Sequence, residues 1–260
     1  MPVGIIESLD HEARGIARQE GKTVFVDGAL PGETVEYASF RRKPSYELAQ
    51  LVAVLKPSNA RVAPACPHFG VCGGCAMQHM DATAQVAAKQ RVLEDSLWHI
   101  GRVRPESMLP PIHGMPWGYR HRARLGVRKL DGQAGMLIGF HEWRSSYIAD
   151  IKVCPVLPPH VSALLMPLRE LFGALSIADR LSQVEISVGE HCTALLLRIL
   201  APLKARDERL LREFADQHRV TWFLQPKGPE TAHLFYPENA PRLSYRLPDF
   251  GLELLFHPTE

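Results

Sequence analysis

Residues 66–75 read CPHFGVCGGC, and this stretch divides the 260-residue chain into two regions of different sequence pattern. Three of the five cysteines lie within these ten residues, and the last two of the three flank a pair of glycines. Proline and glycine at this density predict an irregular loop rather than a helix or a strand. A loop that holds three thiols is typical of a metal site or a redox centre.

The composition indicates a globular protein without a membrane or secretory segment. Hydrophobic residues make up 46% of the chain, which is long enough to bury a sizeable core and to form two domains. No apolar run approaches about 18 residues, and the N-terminus lacks the basic start and apolar stretch of a signal peptide. We therefore expect a cytoplasmic protein. In a reducing compartment, clustered cysteines are more often metal ligands or redox groups than disulfides.

The region before the loop predicts a small β barrel. Glycines and one Pro-Gly pair separate five strand-like segments, which are residues 3–9, 14–18, 22–28, 33–40 and 46–55. Five short strands in fewer than sixty residues favour a closed barrel of the OB type. The three prolines of residues 56–67 then predict a linker into the cysteine loop.

The region after the loop predicts a mixture of helices and strands. Residues 83–100 are predicted to form a helix that Asp81 caps and Gly101 ends, and whose apolar stripe needs a partner surface. The stripe consists of Val86, Leu93, Leu97 and Ile100, with Trp98 alongside. Mainly strands follow, with an apolar helix near residues 160–175 and a charged helix near residues 204–218.

The cysteine spacing is C-x5-C-x2-C, from Cys66 through Cys72 to Cys75. Two cysteines further along the chain could supply a fourth ligand. Cys154 is preferred because a proline follows it, as in ferredoxin-type sequences. Cys192 is the competing candidate, but it lies in an apolar, strand-like segment, where a thiol more often fills the core.

Four thiolates can hold either a zinc ion or a four-iron cluster. Structural zinc sites usually pair their ligands in two close knuckles, whereas three clustered cysteines and one remote cysteine suit a cubane cluster. Gly73 and Gly74 would let the backbone turn tightly and bring N–H groups near the sulfurs. The spacing therefore favours a 4Fe-4S cluster over zinc. A cluster with four protein ligands has no open iron, so we expect a structural or slow redox role.

The second motif is residues 119–129, YRHRARLGVRK. If they form a strand, one face carries Arg120, Arg122, Arg124 and Arg128, and the other carries His121, Ala123, Leu125 and Val127. Asp131 and Gly132 predict a hairpin turn, followed by a return strand over residues 136–144. Residues 101–150 hold eight Lys and Arg against four Asp and Glu, so the basic excess is local.

Aromatic residues lie close to these arginines in the sequence: Trp117, Tyr119, Phe140, Trp143 and Tyr147. Guanidinium groups can hold phosphates while aromatic rings stack on unpaired bases, which is the combination that single-stranded RNA binding uses. Candidate RNA-binding residues are Arg120, Arg122, Arg124, Arg128, Tyr119, Phe140, Trp143 and Arg144. The alternative is an exposed arginine face above an ordinary aromatic core.

Several segments together resemble the iron–sulfur branch of the 23S ribosomal RNA uracil-C5 methyltransferases. They include IIESLDHEARGIAR (5–18), CPHFGVCGGCAMQH (66–79), WGYRHRARLGVR (117–128) and LIGFHEWRSSYIADIKVCPVL (137–157). The resemblance runs from near residue 3 to the last residue. It implies an N-terminal TRAM domain, an OB-like RNA-binding barrel, over residues 1–58. It also implies a central α+β iron–sulfur domain over residues 59–260.

The resemblance carries over the cluster ligands as Cys66, Cys72, Cys75 and Cys154. The TRAM-like start distinguishes this branch from sister enzymes that act on another uracil of 23S rRNA. One departure from the family is Ala13, where the family tends to have glycine, and we expect it to tighten that turn. The fold class expected from the resemblance is mainly β with some α.

Family members continue into a Rossmann-like domain with the S-adenosylmethionine site, a nucleophilic cysteine and a general base. This sequence shows no Gly-rich strand–turn–helix segment, so we expect the Rossmann-like methyltransferase domain to be absent. Cys192 has no surrounding motif of a nucleophile. No catalytic or S-adenosylmethionine-binding residue is therefore predicted, and the helix over residues 83–100 is expected to pack on the missing domain.

Two hypotheses follow. In the first, the chain is the N-terminal part of a 23S rRNA uracil-C5 methyltransferase, and it supplies RNA binding and a structural 4Fe-4S cluster. It would be inactive alone, with the C-terminal methyltransferase domain as its missing partner and S-adenosylmethionine bound only by the full-length enzyme. In the second, it is a stand-alone, non-catalytic RNA-binding module with an iron–sulfur or zinc site. In both cases we expect a monomer that binds 23S rRNA and no membrane.

Overall fold

The computed structural model describes residues 1–130 and 135–260, which form two compact units. The first unit contains Met1–Phe69 and Cys75–Gly114, and the second contains Gly70–Gly74 and Met115–Glu260. The chain therefore leaves the first unit for five residues within the cysteine loop and then returns to it. The hairpin turn predicted at Asp131-Gly132 lies outside the described residues.

The first unit begins with six strands that form one sheet in the order β1-β5-β6-β4-β3-β2. They are β1 (Val3–Ile5), β2 (Ser8–Leu9), β3 (Gly15–Gln19), β4 (Lys22–Asp27), β5 (Thr34–Arg42) and β6 (Tyr46–Lys56). The segment predicted as one strand over residues 3–9 is two strands, because the chain changes partners at Ile6. The Ile6 N–H donates to the Glu33 carbonyl, and the next N–H donates to the Ile16 carbonyl. These bonds join the two ends of the sheet and close the barrel.

The barrel interior is apolar because alternate residues of each strand point inward. The buried cluster consists of Ile6, Ala17, Val24, Val26, Ala29, Val35, Tyr37 and Ala49. Two acidic residues of the barrel are also buried, Asp27 at the end of β4 and Glu33 in the loop before β5, and the fully buried Glu33 carboxylate forms an ion pair with Arg61. This ion pair fixes the linker after β6 to the barrel.

A helix follows the cysteine loop in the first unit. Helix α1 spans Ala82–Asp95, and the Asp81 carboxylate accepts hydrogen bonds from the N–H groups of Thr83 and Ala84, as an N-cap does. A π-helical turn continues to Ile100. No residue of α1 is buried, and Leu93 and Ile100 are 52% and 82% exposed, so the apolar stripe is largely exposed.

The second unit contains a six-stranded sheet in the order β12-β11-β10-β9-β7-β8. Its strands are β7 (Arg122–Lys129), β8 (Met136–Gly139), β9 (Leu181–Val188), β10 (Thr193–Ile199), β11 (Val220–Gln225) and β12 (His233–Tyr236). Strands β10 and β11 are parallel, and α4 (Ala205–His218) connects them. A separate hairpin consists of β13 (Leu243–Leu247) and β14 (Leu252–Phe256).

One face of this sheet is covered by helices. The helix predicted over residues 160–175 is two helices, α2 (Pro159–Ser162) and α3 (Leu165–Ala174). Trp222 of β11 packs against Phe172 of α3 and Phe214 of α4, with ring centroids 6.2 and 5.8 Å apart. The core of the second unit therefore lies between the sheet and these helices, and the arginines of β7 belong to the opposite face.

Within the described part of the chain, we find no helix that is both long enough and apolar enough to span a bilayer.

Candidate RNA interface and thiol loop

Residues 70–74 of the cysteine loop lie beside residues 141–143 in the second unit. Gly73 donates its N–H to the His141 carbonyl at 2.8 Å, and Trp143 donates its N–H to the Val71 carbonyl at 2.8 Å. Cys72 and Glu142 form an antiparallel β-bridge between these two bonds. The backbone of Cys72 is therefore held in place by a short ladder rather than by the loop alone.

The two adjacent glycines are required by close packing. A Cβ at Gly73 would approach the His141 carbonyl oxygen to 3.0 Å, and a Cβ at Gly74 would approach the Phe140 ring to 3.2 Å. The Gly74 N–H also donates to the Cys72 Sγ at 3.4 Å. This cradle is consistent with the tight turn predicted for the pair.

The remaining cysteines of the predicted ligand set lie in both units. Cys154 is buried in the second unit, where its N–H donates to the Ser162 Oγ at 2.9 Å. Cys66 and Cys75 belong to the first unit, where the Cys66 N–H donates to the Gln78 Oε1 at 3.2 Å. None of the five cysteines, all of which lie in the described residues, forms a disulfide.

The described residues contain no group of three or more His, Cys, Asp or Glu side chains placed to hold a metal ion. The four-cysteine ligand set therefore stays a prediction.

Cys192, the competing ligand, has the environment of a structural thiol. Its Sγ donates to the Pro241 carbonyl oxygen at 3.4 Å, and burial raises the pKa of the thiol. A raised pKa disfavours the thiolate, which is the nucleophilic form. These properties agree with the interpretation of Cys192 as a packing residue.

The arginine face of β7 forms largely as the alternation predicts. Arg122, Arg124 and Arg128 are exposed, while Ala123, Leu125 and Val127 between them are buried. Two residues of the motif differ from the prediction because β7 begins only at Arg122. His121 is exposed rather than on the apolar face, and the Arg120 guanidinium turns to the thiol loop.

The Arg120 side chain contacts two residues of the second unit. Its Nη2 donates to the Gly74 carbonyl at 3.3 Å, and its guanidinium lies 5.2 Å from the centre of the Phe140 ring. Arg124 Nε donates to the Glu185 Oε1 at 3.1 Å, and the Arg122 Nη2 donates to the Pro258 carbonyl at 3.3 Å. The Arg124 side chain is nevertheless 67% exposed, so its remaining N–H groups can reach a phosphate.

The return strand is shorter than predicted. Strand β8 ends at Gly139, and the chain turns back through a bridge between His141 and Ile148. Trp143 and Arg144 therefore lie in a turn, with the Arg144 guanidinium 5.7 Å from the Trp143 ring. The aromatic residues around this turn and before β7 differ in exposure: Tyr119 is 52%, Trp143 37% and Tyr147 65% exposed, while Phe140 is half-buried.

Sequence reasoning missed polar residues that share the arginine face. Gln183 of β9, Arg198 of β10 and Gln225 of β11 are paired in register with one another and with Gly126 of β7. The signal that was available is the single arginine in the apolar run LLLRIL, residues 195–200. Its face could not be assigned without the register of the sheet.

The family model for the TRAM domain matches residues 5–36, which lie in the barrel. The first unit therefore contains a TRAM domain, a class of small barrel that binds RNA. Similarity to curated relatives describes the chain more closely than this class of domain does. The chain is 75% identical over 260 residues to the 23S rRNA (uracil(1939)-C(5))-methyltransferase RlmD of Dechloromonas aromatica. It is 61% identical over 256 residues to the protein of the same name from Nitrosospira multiformis.

These alignments confirm the resemblance stated from the sequence. They cover 100% and 98% of this chain, but 60% and 58% of the two relatives. The chain thus spans about three fifths of the length of the curated relatives it matches. Among solved structures, the fold matches that of Pyrococcus abyssi tRNA (uracil-54, C5)-methyltransferase, which was solved in complex with S-adenosyl-L-homocysteine. The TM-score is 0.67 over 98% of this chain and 59% of that chain, at 18% identity, so this match concerns the fold alone.

The comparisons contradict the expectation that the Rossmann-like methyltransferase domain is absent. They contradict equally the hypotheses of a mere N-terminal part with a missing C-terminal partner and of a stand-alone non-catalytic module. Nearly the whole chain shares the fold of a solved uracil-C5 methyltransferase, and relatives named as methyltransferases align along all of it. The predicted packing of the helix over residues 83–100 on a missing domain depended on that expectation and falls with it.

The prediction of an absent domain was wrong because it treated the lack of a Gly-rich turn as evidence against a Rossmann-like fold. Such a turn is one way to begin a strand–helix–strand crossover, and the parallel pair β10 and β11 shows another. The loop between β10 and α4, residues 200–204, reads LAPLK and contains no glycine. The lack of a glycine motif is therefore weak evidence against a strand–helix–strand fold.

Proposed function

We propose that this chain takes part in the S-adenosylmethionine-dependent methylation of uracil C5 in 23S ribosomal RNA. The observation that carries the proposal is the 75% identity, over the whole chain, to a curated 23S rRNA (uracil(1939)-C(5))-methyltransferase. The TRAM match at residues 5–36 and the exposed arginines of β7 support RNA as the substrate. The cell compartment that fits this substrate is the cytoplasm.

In this proposal, the residues that contact RNA are Arg122, Arg124 and Arg128 on β7, together with the exposed rings of Tyr119 and Trp143 and the nearby Arg144. Arg120 and Phe140 act one step away, because the Arg120 guanidinium already binds the Gly74 carbonyl and lies over Phe140. The guanidinium groups hold phosphates, and the aromatic rings offer surfaces on which unpaired bases stack.

The test is the modification state of 23S rRNA in cells. Deleting the gene that encodes this chain should remove one C5-methylated uridine, detected by mass spectrometry of nuclease fragments. A plasmid copy should restore it, and a copy with Arg124→Ala and Arg128→Ala should restore it less well. An rRNA whose C5-methylated uridines are unchanged by the deletion would contradict the proposal.

A 4Fe-4S cluster on Cys66, Cys72, Cys75 and Cys154 is part of the proposal, and zinc is the second candidate. Three observations support such a group: none of the cysteines forms a disulfide, Cys72 accepts an N–H, and the Gly73-Gly74 cradle excludes side chains. When bound, the cluster would supply a structural cross-link or a slow redox centre. The chain's own residues orient the ligands through the ladder to residues 141–143 and the Ser162 hydroxyl.

Protein purified without oxygen should be brown and contain iron and acid-labile sulfide in similar amounts. Cys72→Ser should remove the colour, whereas Cys192→Ser should keep it, because Cys192 already donates to the Pro241 carbonyl. A colourless protein with one equivalent of zinc would contradict the iron–sulfur assignment and favour the second candidate.

A further inference from the structure

The face of the second sheet opposite α3 and α4 is partly buried, at Ala194 and Leu196 of β10, and carries a row of polar side chains beside the arginines of β7. Gln183, Arg198 and Gln225 are direct partners on β9, β10 and β11. Paired residues on neighbouring strands point to the same face and lie roughly 5 Å apart. Gly126 of β7 continues the row, so these side chains share a face with Arg124 and Arg128, two residues to either side.

Glu185 lies next to this row, and its buried carboxylate has hydrogen-bond partners on one oxygen. It is only 7% exposed, and its Oε1 accepts hydrogen bonds from the Arg124 Nε at 3.1 Å and the Gln183 Nε2 at 2.8 Å. Its Oε2 makes no hydrogen bond to the described residues. Oε1 is therefore held by two donors, while Oε2 can still accept a hydrogen bond from a ligand.

The surroundings favour a negatively charged ligand with hydrogen-bond donors of its own. Arg198 is exposed and the Arg124 side chain is 67% exposed, so cationic groups lie on both sides of Glu185. The Gln225 amide is oriented by its hydrogen bond from Nε2 to the Lys227 carbonyl at 3.1 Å. Phosphates suit the guanidinium groups, and amide and carboxylate oxygens suit the N–H groups of a base.

We propose that Glu185, Gln183 and Arg198 form a base-reading subsite for one unpaired nucleotide of the RNA, a nucleotide whose base carries an exocyclic amino group. The proposal rests on the proposed RNA binding and adds base selectivity to it. The Glu185 Oε2 accepts the amino N–H, as carboxylates do from the N4 amino group of cytosine, and Arg198 holds the adjoining phosphate. Uracil has a carbonyl where cytosine has the amino group, so this nucleotide differs from the uracil that is methylated.

The experiment compares two single-stranded RNAs of about twelve nucleotides, oligo(C) and oligo(U), by fluorescence anisotropy with the full chain. The wild type should bind oligo(C) roughly tenfold to hundredfold more tightly, the worth of one hydrogen bond to a charged group. Glu185→Gln should weaken oligo(C) binding and leave oligo(U) binding unchanged or tighter, because the variant removes a negative charge. Arg198→Ala should weaken both by the same factor. The control Glu213→Gln, on the exposed side of α4, should preserve the preference.

A purely electrostatic role for Glu185 predicts a different outcome, in which Glu185→Gln tightens both RNAs equally, and this result would overturn the subsite. Equal binding of both RNAs by the wild type would also overturn it while leaving the proposed RNA binding intact. If neither RNA binds, both proposals fail. Gln183→Leu removes the amide that orients the carboxylate, so it should lose the preference as well. That variant supplies an independent test if Glu185→Gln does not fold.

Discussion

Glu33 in the first unit and Glu185 in the second are both carboxylates with little solvent exposure, but they differ in how many of their oxygens accept hydrogen bonds. Glu33 of the barrel is fully buried, and its two oxygens accept hydrogen bonds from the Arg61 guanidinium and from the N–H groups of Leu30 and Ser58. Glu185 of the open sheet is 7% exposed, and only one of its oxygens has partners within the described residues.

The difference follows from the two sheet architectures. The Glu33 carboxylate is shielded from water inside the barrel, so its oxygens depend on donors supplied by the protein. In the second sheet, α3 and α4 cover one face, and the opposite face is buried at Leu196 but carries exposed arginines that a ligand can reach. The comparison assigns Glu33 to folding and Glu185 to binding.

The largest expected effect concerns Glu33. Glu33→Gln leaves the Arg61 guanidinium, whose side chain is only 22% exposed, without its counter-charge, so we expect a loss of about 3 kcal/mol in the free energy of unfolding. Glu185→Gln should cost less than about 1 kcal/mol, because Arg124 is largely solvated. Urea unfolding of the two variants measures both. Equal losses would break the comparison.

The Glu33 carboxylate should also make the stability of the barrel fall at acid pH. Burial alone raises the pKa of Glu33, but the hydrogen bonds from Arg61, Leu30 and Ser58 outweigh it and hold the pKa below its ordinary value of 4.5. A lowered pKa in the folded state stabilises the protein above pH 4.5, and this contribution is lost as the pH falls through the folded-state pKa. Stability measured below pH 4.5 should therefore fall more steeply in the wild type than in Glu33→Gln.

The second prediction tests how tightly the open sheet packs at its edge strand. A Cβ at Gly139 of β8 would overlap the carbonyl oxygen of Ala149, which is backbone and cannot swing away. Gly139→Ala should therefore cost roughly 2–3 kcal/mol in unfolding free energy. Gly135→Ala is the matched control, because among the described residues its Cβ would meet only the Leu130 side chain at 3.7 Å, an ordinary contact. Similar stabilities of the two variants would show that residues 149–151 can shift.

The sequence predicts the local parts of both sheets and little of what joins them. The alternation over residues 122–129 identifies the exposed arginines of β7, because a strand repeats every two residues. The N-cap at Asp81 is also confirmed, since a cap depends on near neighbours. Glu185 and Arg198 could not be placed beside Arg124, because the register that joins β7, β9 and β10 spans more than sixty residues.

The third prediction measures the contribution of the arginine face to RNA binding. Arg124→Ala with Arg128→Ala should lower the slope of log affinity against log salt by about 0.7–0.9 for each arginine that contacts a phosphate. The effect should be similar for oligo(C) and oligo(U), since phosphate contacts do not read sequence. Arg206→Ala with Arg209→Ala removes the same charge from the exposed side of α4. If the control pair lowers the slope equally, only net charge matters and the arginine face has no special role.

The smallest expected effect concerns the turn between β2 and β3 in the barrel, where Ala13 has a left-handed backbone with φ of 63°. The turn is fixed on both sides: the Ala13 N–H donates to the Asp10 carbonyl at 3.1 Å, and the Arg14 Nε donates to the Asp10 Oδ2 at 2.7 Å. A residue with a Cβ loses about 1–2 kcal/mol in this conformation, whereas glycine adopts it without strain. Ala13→Gly should therefore stabilise the barrel, although the greater freedom of glycine in the unfolded chain offsets about 0.4–1 kcal/mol of the gain.

The net gain expected for Ala13→Gly is about 0.5–1 kcal/mol, read as a rise in the urea midpoint at unchanged slope. Ala63→Gly is the matched control, because Ala63 lies in the exposed linker and does not have a positive φ. That variant adds freedom to the unfolded chain without relieving strain, so its midpoint should fall. Opposite signs for the two alanines would show that the left-handed turn, rather than glycine itself, raises the stability. A fall in both midpoints would mean that the Asp10–Arg14 contacts hold Ala13 in this conformation at little cost.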